Sequence, residues 1–485
     1  HTRIRKWDQS GVIRDTEGAV IIDLATTTDG LIPVPASTTT VILEDGITVT
    51  FDLEPGSGEF KDADYWLFAA RTEDTWVESL DRAPPQGIHH HYARISIITA
   101  LTEAGIEDCR SHWPPELADQ SCCTVTVGDG IQSHGDYMTI QEAVNSLPNP
   151  DGGKVCVLAG EYHENVVINA SSNIIIEGCG ERSRVIADVP ATEFGAADPV
   201  FRVTDSTDIR IASLDIEAGT SGNGVLLEEL ATDSLRDIEL HNLHIKAFSR
   251  SAIEVHFGSG VDIQKCDIEM QDVASDWPGI FLVADKSQIK ENAIKVTNNQ
   301  TATAASIASL GRGGIQVGGT SDHVREIDNL IQGGIGNGIT LGSLTGVSAA
   351  GAATAEQWIG WVDDPNTGAY EAMGTMYDIL IERNRILDMG KNGIGVAGFF
   401  NLDTVDEFVS VEGLNIDGNE IRDCLNQSQA LIEDDMADSM GYGGIALADV
   451  EELSIQHNVI EDNGSQRTNE PVCGIYVLHA EGVQI

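Results

Sequence analysis

From about residue 125 onward, the chain repeats two short patterns in which apolar and polar positions alternate. The first pattern holds two apolar pairs, for example Ile-Arg-Ile at 209–211 followed by Leu-Asp-Ile at 214–216. The second is Gly-Ile-x-Val or a close variant, for example Gly-Ile-Phe-Leu at 279–282. Because side chains alternate between the two faces of a strand, each pattern predicts a short β-strand that buries one face.

The spacing of the second pattern indicates how these strands are organised. Its copies begin at residues 224, 252, 279, 314, 338, 393, 444 and 474 and are therefore 24 to 55 residues apart. A repeat with a shortest step in the mid-twenties, and longer steps that leave room for loops, is typical of a solenoid. We therefore predict an all-β fold, a parallel β-helix of about nine coils in which each strand pairs with its counterpart one coil away.

A short amphipathic segment precedes the first coil. Ile140, Ala143, Val144 and Leu147 fall on one face of a helix predicted over 139–147. An open solenoid end exposes core and unpaired backbone, so a covering helix is expected there. This helix and the stretch Val-Cys-Val-Leu-Ala-Gly-Glu-Tyr-His-Glu-Asn-Val at 155–166 resemble the N-terminal cap and first coil of the pectin-lyase-like β-helix superfamily. That superfamily includes pectinesterases, pectate lyases and phage tailspikes, and the resemblance implies a right-handed parallel β-helix.

Five asparagines support the same resemblance. They occupy the turn between two strands in successive coils: Asn292, Asn329, Asn384, Asn419 and Asn458. Stacked there, each amide could bond the backbone or the amide of its neighbour and satisfy turn groups that would otherwise be buried without partners. This arrangement resembles the asparagine ladder of the superfamily, with surface turn asparagines as the alternative.

The chain divides into two predicted domains. Residues 1–120 carry short alternating runs broken by Gly, Pro and Asp, which predict a small β-rich domain of the sandwich or barrel kind. Residues 121–485 form the predicted β-helix with its capping helix. The whole layout resembles uncharacterised bacterial proteins that join a small N-terminal β domain to a right-handed β-helix. The last residues, Glu-Gly-Val-Gln-Ile, resemble the start of another coil, so we expect the native protein to continue beyond residue 485.

The charge argues against two classes of partner. Lys and Arg total 28 against 77 Asp and Glu, which gives a net charge of −49. Such a surface repels nucleic acids and anionic membranes, and no apolar run is long enough to predict membrane insertion. A solvated, salt-tolerant exterior explains the charge without a specific function. Carboxylate-rich loops also suit Ca²⁺, which prefers oxygen ligands, and the sequence requires no other cofactor.

The cysteines bear on the compartment. Five of the eight lie between residues 109 and 179, where one or two disulfides could brace the domain junction. A buried free thiol is the alternative for each cysteine. Acidity and candidate disulfides together favour an extracellular or cell-surface location.

Two constellations on the predicted strands could carry chemistry. With neighbouring coils about 4.8 Å apart, Asp215, His244 and Asp267 form an outward line that could hold a cation or tune His244 for acid–base work. A cross-strand charge ladder is the alternative. The outward column of the second pattern reads Leu226, Glu254, Phe281, Gln316, Thr340, Gly395, Ala446 and Tyr476. Glu254 and His256, two residues along the same strand, are its catalytic candidates, but we expect no catalytic set on this sheet because neither neighbouring coil adds a second acid.

Two long excursions between coils carry candidate ligand-binding residues. The excursion between 341 and 378 contains Trp358, Trp361, Asp363, Asp364 and Tyr370. Aromatic rings beside carboxylates are typical of sugar-binding clefts, although the tryptophans could instead anchor the loop to the β-helix or to another subunit. The excursion between 424 and 441 contains Asp434 and Asp435, which with Asp215 and Asp267 are the candidate Ca²⁺ ligands.

These observations favour a binding protein over an enzyme. The Asp-Phe-Ile-Phe-Gly motif of pectinesterases and the Gly-His-Gly motif of polygalacturonases are absent from the chain. The leading hypothesis is an extracellular, surface-exposed glycan-binding or structural protein of the tailspike or adhesin type, which binds a cell-surface polysaccharide or assembles as a homo-oligomer. The alternative is a polysaccharide lyase or glycoside hydrolase acting on an acidic polysaccharide. A hydrolase needs two carboxylates about 5 to 9.5 Å apart, and a lyase needs a base beside positive charge.

Overall fold

The computed structural model describes the chain in segments. They are residues 10–28, 30–34, 38–43, 46–51, 65–68, 70–71, 76–81, 83, 96–98, 106–108, 122–188, 198–220, 222–271, 277–296, 312–346, 369–403, 408–426, 440–464 and 472–485. The chain forms two compact units, His1–Leu117 and Ala118–Ile485. None of the described helices is long and apolar enough to cross a membrane.

The first unit contains short antiparallel strands. Strands β1 to β8 are Val12–Asp15, Val20–Asp23, Thr40–Ile42, Thr48–Thr50, Ala70–Arg71, Trp76–Val77, Ser96–Ile98 and Ile106–Asp108, with a turn of 3-10 helix at Leu24–Thr26. β2, β1, β3 and β4 form one sheet in that order, whereas β5 pairs with β6 and β7 with β8. The sandwich or barrel arrangement of this unit stays a prediction.

The second unit begins with β9, Val125–Val127, and the helix α1, Ile140–Ser146. Its first coils contain β10 to β20: Gly153–Val157, Gly160–His163, Val166–Asn169, Ser172–Ile186, Phe201–Thr204, Thr207–Glu217, Val225–Glu228, Arg236–His241, His244–Ala247, Ile253–Gln264 and Asp267–Met270. The middle coils contain β21 to β29: Ile280–Asp285, Gln288–Lys290, Ala293–Val296, Ile315–Val317, Arg325–Ile327, Leu330–Gln332, Ile339–Leu341, Leu344–Gly346 and Tyr370–Ala372. The last coils contain β30 to β37: Met376–Glu382, Arg385–Leu387, Ile394–Val396, Ser410–Asp417, Glu420–Arg422, Tyr442–Gln456, Val459–Glu461 and Val472–Glu481.

The pairing of these strands confirms the predicted solenoid. Strands of one coil pair in parallel with strands of the next, so that Val225 lies beside Ile253 and Ile253 beside Ile280. Parallel strands joined by crossover connections are right-handed in nearly all proteins, and the chain is an all-β, right-handed parallel β-helix. An antiparallel pair, β28 with β29, stands apart from the coil strands.

The interior of the β-helix is a continuous column of aliphatic side chains. Ile216, Ile245, Ile268 and Ile294 occupy one position in four successive coils, and all four are fully buried. Such stacking removes apolar surface from water at every coil. One glutamate interrupts the interior: Glu326 takes the inward position between its register neighbours Ile289 and Ile381.

Helix α1 covers the first coil as predicted. Thr139 caps it by accepting a hydrogen bond from the backbone N–H of Glu142, and Ile140, Ala143 and Val144 are buried. The Glu164 carboxylate accepts hydrogen bonds from the first backbone N–H groups of the helix, those of Ile140 and Gln141, at 2.8 and 2.9 Å. These bonds satisfy donors that have no partner within the helix.

The asparagine ladder is confirmed. Each amide Nδ2 donates to Oδ1 of the asparagine one coil further, at 3.0, 2.9, 3.1 and 2.9 Å along the series Asn292, Asn329, Asn384, Asn419 and Asn458. The same Oδ1 atoms also accept from the backbone N–H of the preceding asparagine. Asn292 to Asn419 are buried, so the ladder satisfies polar groups that water does not reach.

A second asparagine ladder was not predicted. Asn392 donates from its backbone N and its Nδ2 to Oδ1 of Asn337, and Gly443 donates its backbone N–H to Oδ1 of Asn392. Both asparagines directly precede a Gly-Ile motif, so the sequence did carry a signal for it.

One of the expected disulfides joins Cys123 to Cys156. It ties the segment before β9 to β10, so it braces the first coil within the second unit. Cys122 and Cys179 are exposed thiols and Cys266 and Cys424 are buried ones, whereas Cys109 lies outside the described residues.

Candidate functional site

The broad sheet is built by β14, β16, β19, β21, β24, β27, β32, β35 and β37. It carries the predicted outward column in register through every pair from Leu226 to Tyr476. The expectation that this column faces solvent is wrong for most of its length, because Glu254, Phe281, Gln316 and Thr340 are at most 1% exposed. Part of the cover is apolar: Trp277 and Met373 pack against Phe281 and Val283 on the outer face.

Glu254 is the centre of a hydrogen-bonded cluster on this outer face. Its carboxylate accepts from Asn223 Nδ2 at 2.6 Å, from Arg250 Nη2 at 2.9 and 3.2 Å, and interacts with His256 Nε2 at 2.6 Å. Asn223 also donates to the backbone carbonyl of Ser251, which fixes the turn before β19. We call Asn223, Arg250, Glu254 and His256 the Glu254 cluster.

The partners of Glu254 decide its charge. Burial alone would raise the pKa of this carboxyl, but the hydrogen bond with His256 and the positive charge of Arg250 outweigh burial and lower the pKa. Glu254 is therefore ionised at neutral pH and already holds hydrogen bonds on both oxygens. This state suits a carboxylate that positions cationic groups and does not suit a general acid, which needs a raised pKa.

Arg250 reaches the surface from this cluster. Its guanidinium carbon lies 3.8 Å from the centre of the Trp277 ring, and its side chain is 34% exposed, compared with 1% for Glu254. A guanidinium on an aromatic face is held by cation–π attraction. His256 is 14% exposed and its ring lies 5.7 Å from that of Phe281.

A second acid does lie on a neighbouring coil, two residues beyond the predicted column. Glu228 is the register neighbour of His256 in β16. Arg202 donates to Glu228 at 2.5 Å and also lies 3.6 Å from Asp198. Since the Arg202 charge is shared between two carboxylates, this neighbouring group is a compact ion-pair cluster.

The predicted line of Asp215, His244 and Asp267 occurs in register on another sheet. His244 Nδ1 lies 2.7 Å from Asp215 Oδ1, and Asp267 is its register neighbour on the following coil. Arg184 lies 3.6 Å from Asp215. Asp215 therefore sits within a row of cross-strand ion pairs with Arg184 and His244, and the catalytic prediction for His244 and the metal prediction for the aspartates stay predictions.

A different set of side chains has the geometry to hold a cation. One ligand atom from each of Asp322, His323 and Asp378 lies within 4.8 Å of the others. His323 Nδ1 is 2.6 Å from Asp322, and its Nε2 is 3.3 Å from Asp378. Two carboxylates and an imidazole suit a transition metal. The exposed ion pairs also account for the arrangement by themselves.

Most of the predicted loop residues fall outside the described part of the chain. Trp358, Trp361, Asp363, Asp364, Asp434 and Asp435 lie outside the described residues. Tyr370 is described: it begins β29 and pairs with Gly346 of β28. The sugar-binding and Ca²⁺ predictions for these loops stay predictions.

Sequence reasoning named two members of the Glu254 cluster and missed the others. Asn223 and Arg250 precede β16 and β19 in turns, where strand periodicity gives no orientation. A signal was present, since Arg250, Glu254 and His256 fall close together around one Gly-Ile-like motif. Trp277 was equally visible before the next motif but could be joined to Arg250 only through the coil stacking.

Solved structures resemble this chain at low sequence identity. No family model and no curated protein matches the sequence. The A-module of mannuronan C-5 epimerase AlgE6 from Azotobacter vinelandii is 12% identical, covers 71% of this chain and 93% of its own, and gives a TM-score of 0.36. A pectin methylesterase solved with a hexasaccharide is 10% identical, with coverage of 61% and 89% and a TM-score of 0.36. An alginate lyase from a Paenibacillus strain is 10% identical, with coverage of 70% and 95% and a TM-score of 0.32. The strand pairing itself assigns the fold: the chain is a right-handed parallel β-helix protein.

Proposed function

We propose that the chain is an extracellular glycan-binding β-helix protein and that the glycan contacts the broad sheet at the Glu254 cluster. The observation that carries this proposal is a buried carboxylate on the outer face of the sheet, held by Asn223, Arg250 and His256. Burying charges costs desolvation energy, and a well-packed apolar replacement is often as stable or more stable. Ionisable groups with shifted pKa values concentrate at functional sites, so the cluster favours a binding role over a purely structural one.

Binding is favoured over cleavage by the state of the acids. Hydrolysis of a glycosidic bond needs a carboxyl that stays protonated beside a second carboxylate. The pKa of Glu254 is lowered, and Glu228 is paired with Arg202. Neither group has the environment of a general acid, whereas fixed polar groups beside an aromatic ring are suited to holding a sugar.

The Cys123–Cys156 disulfide supports the extracellular part of the proposal. Disulfides persist in oxidising compartments and are rare where thiols are kept reduced. The net charge of −49 fits a protein that stays soluble at high salt outside the cell.

A glycan array, run beside assays for reducing ends and unsaturated products on acidic polysaccharides, tests the proposal. We expect the wild type to bind at least one glycan class without forming products, and Glu254→Gln to weaken that binding by about tenfold or more. Glu420→Gln is the matched control, because Glu420 is an ion-paired glutamate on another sheet. Failure to bind any glycan would refute the proposal, and products that vanish in Glu254→Gln and His256→Ala would establish the enzyme alternative.

A further inference from the structure

We propose that Arg250 forms a subsite for a single anionic substituent of a sugar, a carboxylate or a sulfate, and that Glu254 is the positioning residue of this subsite. The inference rests on the proposed function and specifies the chemistry of the ligand.

Two contacts fix the Arg250 guanidinium. Its carbon Cζ lies 3.8 Å from the centre of the Trp277 ring, and its Nη2 donates to both oxygens of Glu254 at 2.9 and 3.2 Å. An aromatic ring and a carboxylate thus hold the group in place. Holding a flexible side chain in place before the ligand arrives removes an entropic cost from binding.

The rest of the guanidinium is open to a ligand. Across the described part of the chain, every hydrogen bond from Arg250 leaves from Nη2, and the side chain is 34% exposed. The described residues accept no hydrogen bond from its Nε and Nη1, which leaves these donors for an anion. A guanidinium keeps its charge and several donors fixed in one plane, whereas a lysine offers a single ammonium on a flexible stem.

Arg202, which lies on the same sheet, is bound differently. Arg202 donates to Glu228 and also lies close to Asp198, so two carboxylates compete for its charge. Among the described residues, Arg250 has one carboxylate partner, and that carboxylate is shared with His256 and Asn223. The positive charge of Arg250 is consequently less compensated, which favours an incoming anion.

The charge of the whole molecule limits the kind of anion. A net charge of −49 repels a polyanion over long distances, whereas the contact with Arg250 acts at short range. Salt screens the long-range repulsion with a Debye length of about 8 Å at physiological ionic strength and weakens a partly buried contact much less. The subsite therefore suits a glycan with isolated acidic residues. Its affinity for such a glycan should stay constant or rise when NaCl is raised from about 20 to about 150 mM, because the long-range repulsion is screened over that range.

Calorimetric titration with matched oligosaccharides tests the subsite. The probes are an oligosaccharide carrying one glucuronate, its carboxyl-reduced neutral form, and a form with one sulfate. We expect the wild type to bind the acidic forms about tenfold more tightly than the neutral form. Arg250→Gln should remove this preference, Arg250→Lys should restore only part of it, and the control Arg202→Gln should keep it in full.

The outcomes separate the subsite from the proposed function. Equal binding of acidic and neutral probes, or a preference that survives Arg250→Gln, overturns the subsite while the glycan-binding function stands. A wild type that binds none of the probes or array glycans overturns both. Thermal melting of each variant shows that the fold is intact, and a preference that weakens steeply as salt is added contradicts the short-range contact proposed here.

Discussion

Two buried glutamates of the β-helix have opposite surroundings. Glu254 faces outward from the broad sheet and is 1% exposed, with hydrogen bonds to Asn223, Arg250 and His256. Glu326 faces inward among isoleucines and is fully buried, and neither of its carboxyl oxygens has a hydrogen-bond partner among the described residues. The partners lower the pKa of Glu254, whereas burial raises the pKa of Glu326 to about 8.

The comparison shows that burial of an acid does not by itself mark a site. Glu326 adds an uncompensated polar group to the aliphatic interior, which is a cost to stability. Glu254 is equally buried, but it holds an arginine that reaches the surface. What distinguishes a candidate binding site is therefore the set of partners and their path to solvent.

The same substitution should act in opposite directions at the two positions. Glu254→Leu leaves Arg250 and His256 without their carboxylate, and we expect the free energy of unfolding to fall by about 3 kcal/mol. Glu326→Leu replaces an unpaired carboxyl by an apolar group of similar size, and we expect a rise of about 2 kcal/mol or more at pH 7. Urea unfolding of both variants measures the difference. A loss of stability in both would show that Glu326 has a partner of its own.

The pH dependence of stability sharpens the contrast. The Glu326 carboxyl keeps its proton up to about pH 8 in the folded chain and releases it near its ordinary pKa of 4.5 when unfolded. Between these values the unfolded state binds fewer protons, so this group lowers stability as pH rises, by about 1.4 kcal/mol per pH unit. Glu254 has a lowered pKa, so its contribution is present at neutral pH and is lost as pH falls into the acidic range.

The contribution of Glu326 can be measured from urea midpoints of the wild type and of Glu326→Gln between pH 5 and 7. This window of roughly two units lies inside that range. We expect Glu326→Gln to gain stability relative to the wild type as pH rises. A constant difference between the two proteins would mean that Glu326 is not protonated at neutral pH.

The asparagine ladder offers buried polar groups that are fully paired. Asn419→Ala removes an amide that bonds both neighbours, and we expect a loss of about 2 kcal/mol from the groups left without partners. Asn458→Ala is the matched comparison: Asn458 accepts from Asn419 and donates to two backbone carbonyls, but it is half-buried, so water can replace part of these bonds and the loss should be smaller. Equal losses, measured by urea unfolding, would contradict the stacking account.

Gln316 has one paired and one unpaired side-chain atom among the described residues, so its pairing is intermediate between those of Glu254 and Glu326. We expect its substitution to change stability least. Its Nε2 donates to the backbone carbonyl of Gly342 at 2.8 Å, while its Oε1 has no partner in the described part of the chain. Gln316→Met removes one paired and one unpaired group, so we expect a change below about 1 kcal/mol in thermal unfolding. A larger loss would indicate a partner for Oε1.

The sequence predicted the coil, its register and the main ladder because these features repeat. Alternation of apolar and polar residues placed Glu254 in the outward column, and spacing placed Asn384 and Asn419 one coil apart, as observed. A pattern that recurs in every coil is averaged over many strands, so single exceptions do not hide it.

Residues that depart from the repeat could not be predicted from its periodicity. Glu326 occupies an inward position that Ile381 fills on the next coil, and a glutamate in a strand is ordinarily read as outward. Trp277 and Met373, which lie outside the coil strands, pack against Phe281 and help to bury it. The periodicity of the strands therefore does not predict the burial of Phe281. The Glu254 cluster needed turns from two neighbouring coils to meet in space, and Trp277 reaches it from a third coil.

The ladder also separates distance in space from distance along the chain. Asn329 and Asn384 are 55 positions apart and Asn384 and Asn419 are 35 apart, yet their amide bonds are 2.9 and 3.1 Å long. Evolution can therefore lengthen or shorten the segment between two coils without shifting any strand, because the corner amides restore the same alignment each time. For protein engineering, the excursion between residues 341 and 378 is accordingly a natural place to insert a foreign peptide or a reporter domain.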